Sequence, residues 1–130
     1  MAKNQRERKA EREANRDRRG KAVAKHIRIA PSKVRIVLDT IRGKSYTEAV
    51  AILKNIQNTS AEAVLKVVES AASNAESWLG HNKADLYVAE TYADCGPTLK
   101  RFQPVSKGRA HSILKRTCHI TVIMDTTVKV

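Results

Sequence analysis

The sequence predicts an α+β fold: three helices packed on a small antiparallel sheet, with a long β-hairpin protruding from it. Three observations predict it. Between residues 31 and 79, apolar residues recur at helical spacing in three segments. Segments before and after them alternate with the two-residue period of strands. Between the last two strands lie residues 96–117, which carry six cations and no acid and are punctuated by Pro97, Pro104 and Gly108. An uncored loop of that length is functional or disordered far more often than it is a plain connection.

Taken in order, residues 3–21 contain no Val, Ile, Leu or aromatic residue. Their composition favours a helix, and Glu7 and Glu11 have basic neighbours, but no apolar face exists to bury. Residues 1–21 therefore form a basic N-terminal extension; a helix lying on RNA and an unstructured tail both fit. Residues 22–130 form the domain, with its hairpin arm at about 86–124. Ala22–Ile29 alternates as a short strand with a basic face, Lys25 on one side and His26 and Arg28 on the other. Pro31 occupies a first helical position, and Val34, Val37, Leu38 and Ile41 give that helix its buried stripe. Lys33, Arg35 and Arg42 lie on its outer face, and Gly43 ends it. Ala30 cannot cap the helix with a side chain.

Ser45 and Glu48 make a capping box for a second helix, which buries Ala49, Ile52, Leu53 and Ile56. Thr59 and Glu62 suggest another box for a third helix, whose alanine-rich face (Ala71, Ala72, Ala75) permits close approach by a neighbour. That helix ends near Trp78–Gly80, with Trp78 expected in or at the edge of the core. His81–Ala84 reads as a loop. Leu86, Val88, Glu90 and Tyr92 then alternate with Tyr87, Ala89, Thr91 and Ala93 as a strand. The last strand sets Ile120, Val122 and Met124 against Thr121, Ile123 and Asp125. A symmetric arm with its tip near Ser106–Lys107 pairs residues whose numbers add to about 213, which puts Cys95 opposite Cys118 near the arm's base.

The net charge of +12 is unevenly placed. Residues 1–21 carry +5, 22–43 carry +4, 44–94 carry −3 and 95–130 carry +6. Solubility needs a net charge of only about 2–8 in a small domain. A polyanion contacted by both ends is the better account. Lys and Arg bind phosphates without reading sequence. Phe102 is the one aromatic in the arm, too few for a single-strand stacking platform, so folded RNA read by shape and backbone fits best. Leu99, Phe102, Val105, Ile113 and Leu114 interleave with the arm's cations, a poor pattern for water and a good one for an RNA groove. An ordinary long hairpin folding back on its own domain is the alternative. Sequence-specific DNA binding has no recognition helix to use.

Enzyme chemistry finds no support. Gly43-Lys44-Ser45 resembles the end of a phosphate loop, but Leu38 stands where that motif needs glycine. The four histidines lack metal spacing, and Cys118 and His119, as strand neighbours, point to opposite faces. No cofactor motif occurs. No apolar run is long enough for a membrane span, and no secretory signal is visible. Two cysteines outside any C-x-x-C pair make reduced thiols in the cytoplasm the expectation.

The run GPTLKRFQPVSKGRAHSILKRTCHITV, Gly96–Val122, resembles the signature of the large-subunit ribosomal protein L-twenty-two family, bacterial type. Pro31-Ser32-Lys33-Val34-Arg35, Ile41-Arg42-Gly43-Lys44 and Ser73-Asn74-Ala75-Glu76 resemble it too, so the likeness covers about 22–125. The resemblance implies a structural, non-catalytic protein of the large ribosomal subunit. It implies binding to large-subunit rRNA during assembly, beside neighbouring ribosomal proteins such as L-four, and an arm tip that lines the polypeptide exit tunnel near the nascent chain. The runner-up is a free-standing RNA chaperone or assembly factor. The expected rRNA-binding residues are Lys25, His26, Arg28, Lys33, Arg35, Arg42, Lys100, Arg101, Lys107, Arg109, Lys115, Arg116 and His119. The expected tunnel tip is Gln103, Pro104, Val105, Ser106, Lys107, Gly108 and Arg109. The sequence departs from the family pattern at the tip, where Gln103-Pro104-Val105-Ser106 replaces the common Arg-Pro-Arg-Ala, and at Cys118, which replaces a usual serine.

Overall fold

A computed structural model describes residues 4–16 and 19–126. Among them are four helices: α1 (Gln5–Ala14), α2 (Pro31–Ile41), α3 (Tyr46–Asn55) and α4 (Thr59–Leu79). Five strands accompany them: β1 (Gly20–Ile27), β2 (Leu86–Cys95), β3 (Leu99–Pro104), β4 (Ala110–Lys115) and β5 (Cys118–Thr126). β1, β5 and β2 form an antiparallel sheet in that order, and β3 with β4 forms a separate two-stranded ladder. Helices α2, α3 and α4 cover the three-stranded sheet, as expected. The fourth helix, α1, belongs to the N-terminal extension and buries none of its residues, the consequence of a sequence with no apolar stripe.

The core lies between sheet and helices. Val34, Leu38 and Ile41 of α2, Val64 and Val68 of α4, and Leu86, Val88, Ile120, Val122 and Met124 of the sheet are almost wholly shielded from water. Each large side chain so placed contributes about 1.5–3 kcal/mol. The alanine face of α4 lets β1 come close: a Cβ on Gly20 would lie 2.7 Å from the Ala71 carbonyl oxygen and overlap the Ala75 side chain. Ser45 caps α3 by accepting the Glu48 N–H at 3.4 Å. Gly80 ends α4 in the left-handed region, φ +68°, where glycine carries no side-chain penalty.

Four expectations need correction. The cap of α4 is Asn58, whose Oδ1 accepts the Ser60 N–H at 3.1 Å; Thr59 is already helical. Asn is among the strongest N-cap residues, and Glu62 instead pairs with Lys66 one turn on. Trp78 is 54% exposed, because Ala75 and Leu79 take the inward positions on the last turn of α4. The Arg16 guanidinium stands 5.4 Å from its ring centroid, so the end of the extension covers part of it. Lys83–Asp85, partly within the expected loop, forms one 3₁₀ turn.

The fourth correction concerns the strands. β1 runs two residues earlier than the alternation suggests, and its pairing with β5 is irregular between Ala24 and Ile27, where His26 takes φ +57°. β2 carries a bulge between Val88 and Glu90. An extra residue reverses the alternation beyond it. Leu86 and Val88 point inward as expected, but Thr91 and Ala93 follow them inward, and Glu90 and Tyr92 point out. The central strand β5 is buried at every position from Ile120 to Met124. Its outward Thr121 and Ile123 are flanked by Tyr92 and Glu90, and Glu90 is held by Arg19 at 2.7 Å.

Candidate nucleic-acid interface

The arm continues β2 and β5 away from the sheet. From Glu90 to Cys118 the paired numbers add to 213, the expected register; within the arm, from Leu99↔Lys115 to Pro104↔Ala110, they add to 214. One residue is therefore taken up at the junction. There the Gly96 N–H donates to the Thr117 carbonyl at 2.8 Å, and the Thr117 hydroxyl donates to the Pro97 carbonyl at 2.6 Å. A Cβ on Gly96 would overlap Thr117 Oγ1, so only glycine lets the two strands close here.

Directly paired residues share a face. One face of the arm holds Leu99, Arg101 and Gln103 with Lys115, Ile113 and His111; the other holds Lys100, Phe102 and Pro104 with Leu114, Ser112 and Ala110. Each face thus mixes cations with apolar groups. Phe102 is 71% exposed and Leu114 47%. No residue of β3 or β4 is buried. At the tip the Val105 N–H donates to the Arg109 carbonyl at 3.0 Å, and the turn is completed by Lys107 at φ +58° and Gly108 at φ +68°. The seven expected tip residues do form the far end of the arm.

Cations distant in sequence converge at its base. A cleft of about 430 Å³ opens between the β1–α2 connection, the N-terminus of α4 and the returning side of the arm. Arg28, Lys33, Lys115 and Arg116 line it, with Asn58, Thr59 and Ser60, and among the described residues no acidic one does. The opening lies at the N-terminus of α4, where the Ser60 N–H is held by Asn58 Oδ1, and helix N-termini attract anions. Ser60 is 1% exposed, and its buried hydroxyl has no partner among the described residues. Sequence reading finds the four cations but places them in separate stretches, and it misses Asn58–Ser60. The available signal is a polar Asn-Thr-Ser run opening a long helix.

Other expected residues divide. Lys25, Arg28, Lys33, Lys100, Arg101, Lys107, Arg109, Lys115 and Arg116 are exposed. Arg35 and Arg42 already work within the fold: Arg35 Nε and Nη2 donate to the Ala93 carbonyl at 3.1 and 2.9 Å, and Arg42 Nη2 donates to the Thr91 carbonyl at 3.1 Å. These bonds tie α2 to β2 where the bulge has turned that strand. Arg42 also pairs with Asp39 at 3.1 Å. His26 and His119 meet edge to face, centroids 4.8 Å apart, and the His26 backbone N–H donates to His119 Nδ1 at 3.0 Å. That bond uses the Nδ1 lone pair and leaves Nε2 as the ring's remaining polar atom.

A second groove, of about 490 Å³, runs between β1 and α4 along Val23, Ile27, Ile29 and Ala63; it is mostly apolar and gathers no comparable charge. Among the described residues no group of three or more His, Cys, Asp or Glu could hold a metal ion. Among them, too, no helix is long and apolar enough to cross a membrane.

Comparison with known proteins gives a consistent picture. Residues 22–125 match the family model described as ribosomal protein L22p/L17e. The chain is 52% identical over 104 residues to large ribosomal subunit protein uL22 of Clostridium novyi (strain NT), covering 80% of this chain and 94% of that one. It is 53% identical over 102 residues to uL22c of Cyanophora paradoxa, covering 78% and 90%. It is 51% identical over 102 residues to uL22 of a Synechococcus strain, covering 78% and 87%.

Proposed function

The chain belongs to the ribosomal protein L22p/L17e family, of the large ribosomal subunit, and from that premise we propose that it is a structural, non-catalytic component that binds large-subunit rRNA. The observation that carries this reading is the cleft at the arm's base. Four cations from two distant parts of the chain and the N-terminus of a 21-residue helix line one opening with no acid among them. Phosphate oxygens suit both the cations and the helix end. The arm extends the same surface: its cations meet backbone phosphates while Phe102 and Leu114 lie against sugars and bases.

In this reading the tip, Gln103 to Arg109, lines the polypeptide exit tunnel, the nascent chain passes it, and the domain sits against rRNA and neighbouring large-subunit proteins. Val105 and Gln103 make that stretch less basic than the family pattern. Arg35 and Arg42 act chiefly by fixing β2 against α2, and so by aiming the arm.

The test is the salt dependence of RNA binding. Neutralising Arg28, Lys33, Lys115 and Arg116 to Gln together lowers the slope of log affinity against log salt by about 0.7–0.9 for each phosphate no longer neutralised. An unchanged slope removes the cleft from the interface. For the tip, a photo-crosslinking residue at Val105 in translating ribosomes labels the nascent chain; labelling of rRNA alone refutes the tunnel assignment. Sedimentation at high salt separates the subunit component from a free assembly factor, because only the former stays with the large subunit.

A further inference from the structure

We propose that Cys95 and Cys118 form a reversible intrachain disulfide across the base of the arm when the protein meets a low-molecular-weight disulfide. The two residues are direct register partners in the β2–β5 ladder. The neighbouring pair, Gly96 and Thr117, is bridged by a backbone hydrogen bond. Bridged and unbridged pairs alternate along an antiparallel ladder, so Cys95 and Cys118 form an unbridged pair, whose Cα atoms stand about 4.5 Å apart with side chains on one face. That spacing lies within the window of about 4.4–6.8 Å that a disulfide spans. Both thiols are free.

The pair is chemically unequal. Cys95 is exposed, whereas Cys118 is shielded completely beneath the helices. Burial pushes the Cys118 thiol up, the Arg35 guanidinium draws it down, and the nearby Cys95 sulfur pushes it up again. Arg35 is anchored on the Ala93 carbonyl, two residues before Cys95. The order of events follows from access. The Cys95 thiolate attacks one sulfur of the small disulfide, whose S–S bond breaks; a small thiolate leaves and takes up the proton that Cys95 released. Cys118, losing its proton, then attacks the Cys95 sulfur of the mixed disulfide and expels the second small thiol. Two protein thiols are oxidised, and one small disulfide is reduced to two thiols. The product closes residues 96–117 into a ring and fixes the ladder at the rung next to the one-residue register shift. In a reducing compartment such a bond is transient and regulatory rather than structural.

The test uses the full chain, free of RNA, with oxidised glutathione. The wild-type protein loses two hydrogens in intact mass, both thiols become inert to alkylation, and the peptide map joins Cys95 to Cys118. Closure is first order in protein. Cys118→Ser stops at a glutathione adduct on Cys95, and Cys95→Ser, a change at an exposed site that leaves the core intact, stays unmodified. A wild-type protein that also stops at the Cys95 adduct, or that links two chains through Cys95, overturns the proposal.

Discussion

The base and the arm of this hairpin are successive ladders of one pair of chain segments, yet they obey different rules. At the base, Ile120, Val122 and Met124 lie in the core against α4 and are shielded completely. In the arm, Phe102 stays 71% exposed and Leu114 47%. A two-stranded ladder alone is marginal in water. The base therefore carries the stability of the fold, and the arm's apolar groups gain their burial only against a partner. One contrast breaks or upholds this division. Ile120→Ala leaves a cavity at the centre of the sheet and lowers the unfolding free energy by about 2–5 kcal/mol in a denaturant titration. Phe102→Ala moves the same titration by no more than about 0.5 kcal/mol, yet weakens RNA binding about tenfold, the order of one aromatic ring stacked on a base. Equal stability losses for the two would mean that the arm packs on its own domain.

The junction between the two regions gives the next largest effect. Gly96→Ala places a methyl group on the Thr117 hydroxyl, with the Thr117 carbonyl carbon and His119 Cε1 both 3.3 Å away. Relief requires moving a side chain that is bonded to the Pro97 carbonyl. The expected cost is about 1–3 kcal/mol. It falls unevenly: amide protection from Leu99 to Lys115 drops more than protection in β5. Uniform loss would show that arm and sheet open as one unit.

Much of this is legible in the sequence, for physical reasons. Helical periodicity locates α2, α3 and α4 because each buries one stripe, and Pro31, Ser45 and Gly80 mark ends through local backbone chemistry. The register is readable because a hairpin with a short turn has little freedom, and Cys95 does face Cys118. Reading fails where one residue alters everything after it. The bulge after Val88 reverses which side of β2 faces the core, yet Ala89 carries no local mark of it. Trp78 reads as core because of its size, but on a helix the angle decides. The cleft is out of reach for another reason: residues 28–33, 58–60 and 114–116 meet only through the tertiary fold.

Asn58 tests both halves of the molecule at once. Its side chain satisfies one amide at the start of α4, and it lines the cleft. Asn58→Ala costs about 1 kcal/mol of stability, the usual value of a cap. Asn58→Asp keeps the cap while adding a negative charge to the opening. Its stability stays near that of the wild type, and its RNA affinity falls below that of Asn58→Ala. The opposite order of affinities would remove the N-terminus of α4 from the RNA surface.

The smallest effect separates two exposed lysines with different neighbours. Lys66 reaches Glu62 at 3.0 Å, with both side chains more than two-thirds exposed. Such a pair is worth about 0.3–0.5 kcal/mol, so Lys66→Ala barely moves the unfolding midpoint. Lys33 lies in a cleft lined by three other cations and no acid. Removing it relieves like-charge repulsion in the free protein, so Lys33→Ala leaves stability level or slightly higher. Its cost appears with RNA: affinity falls and the salt slope flattens by about 0.7–0.9, the signature of a single phosphate left without its cation. A cation that costs the free fold nothing when deleted, yet alters the salt slope, is placed there for its ligand. If Lys66→Ala flattened the slope as much as Lys33→Ala did, the charge would be acting as a diffuse field, and the cleft would lose its standing as a site.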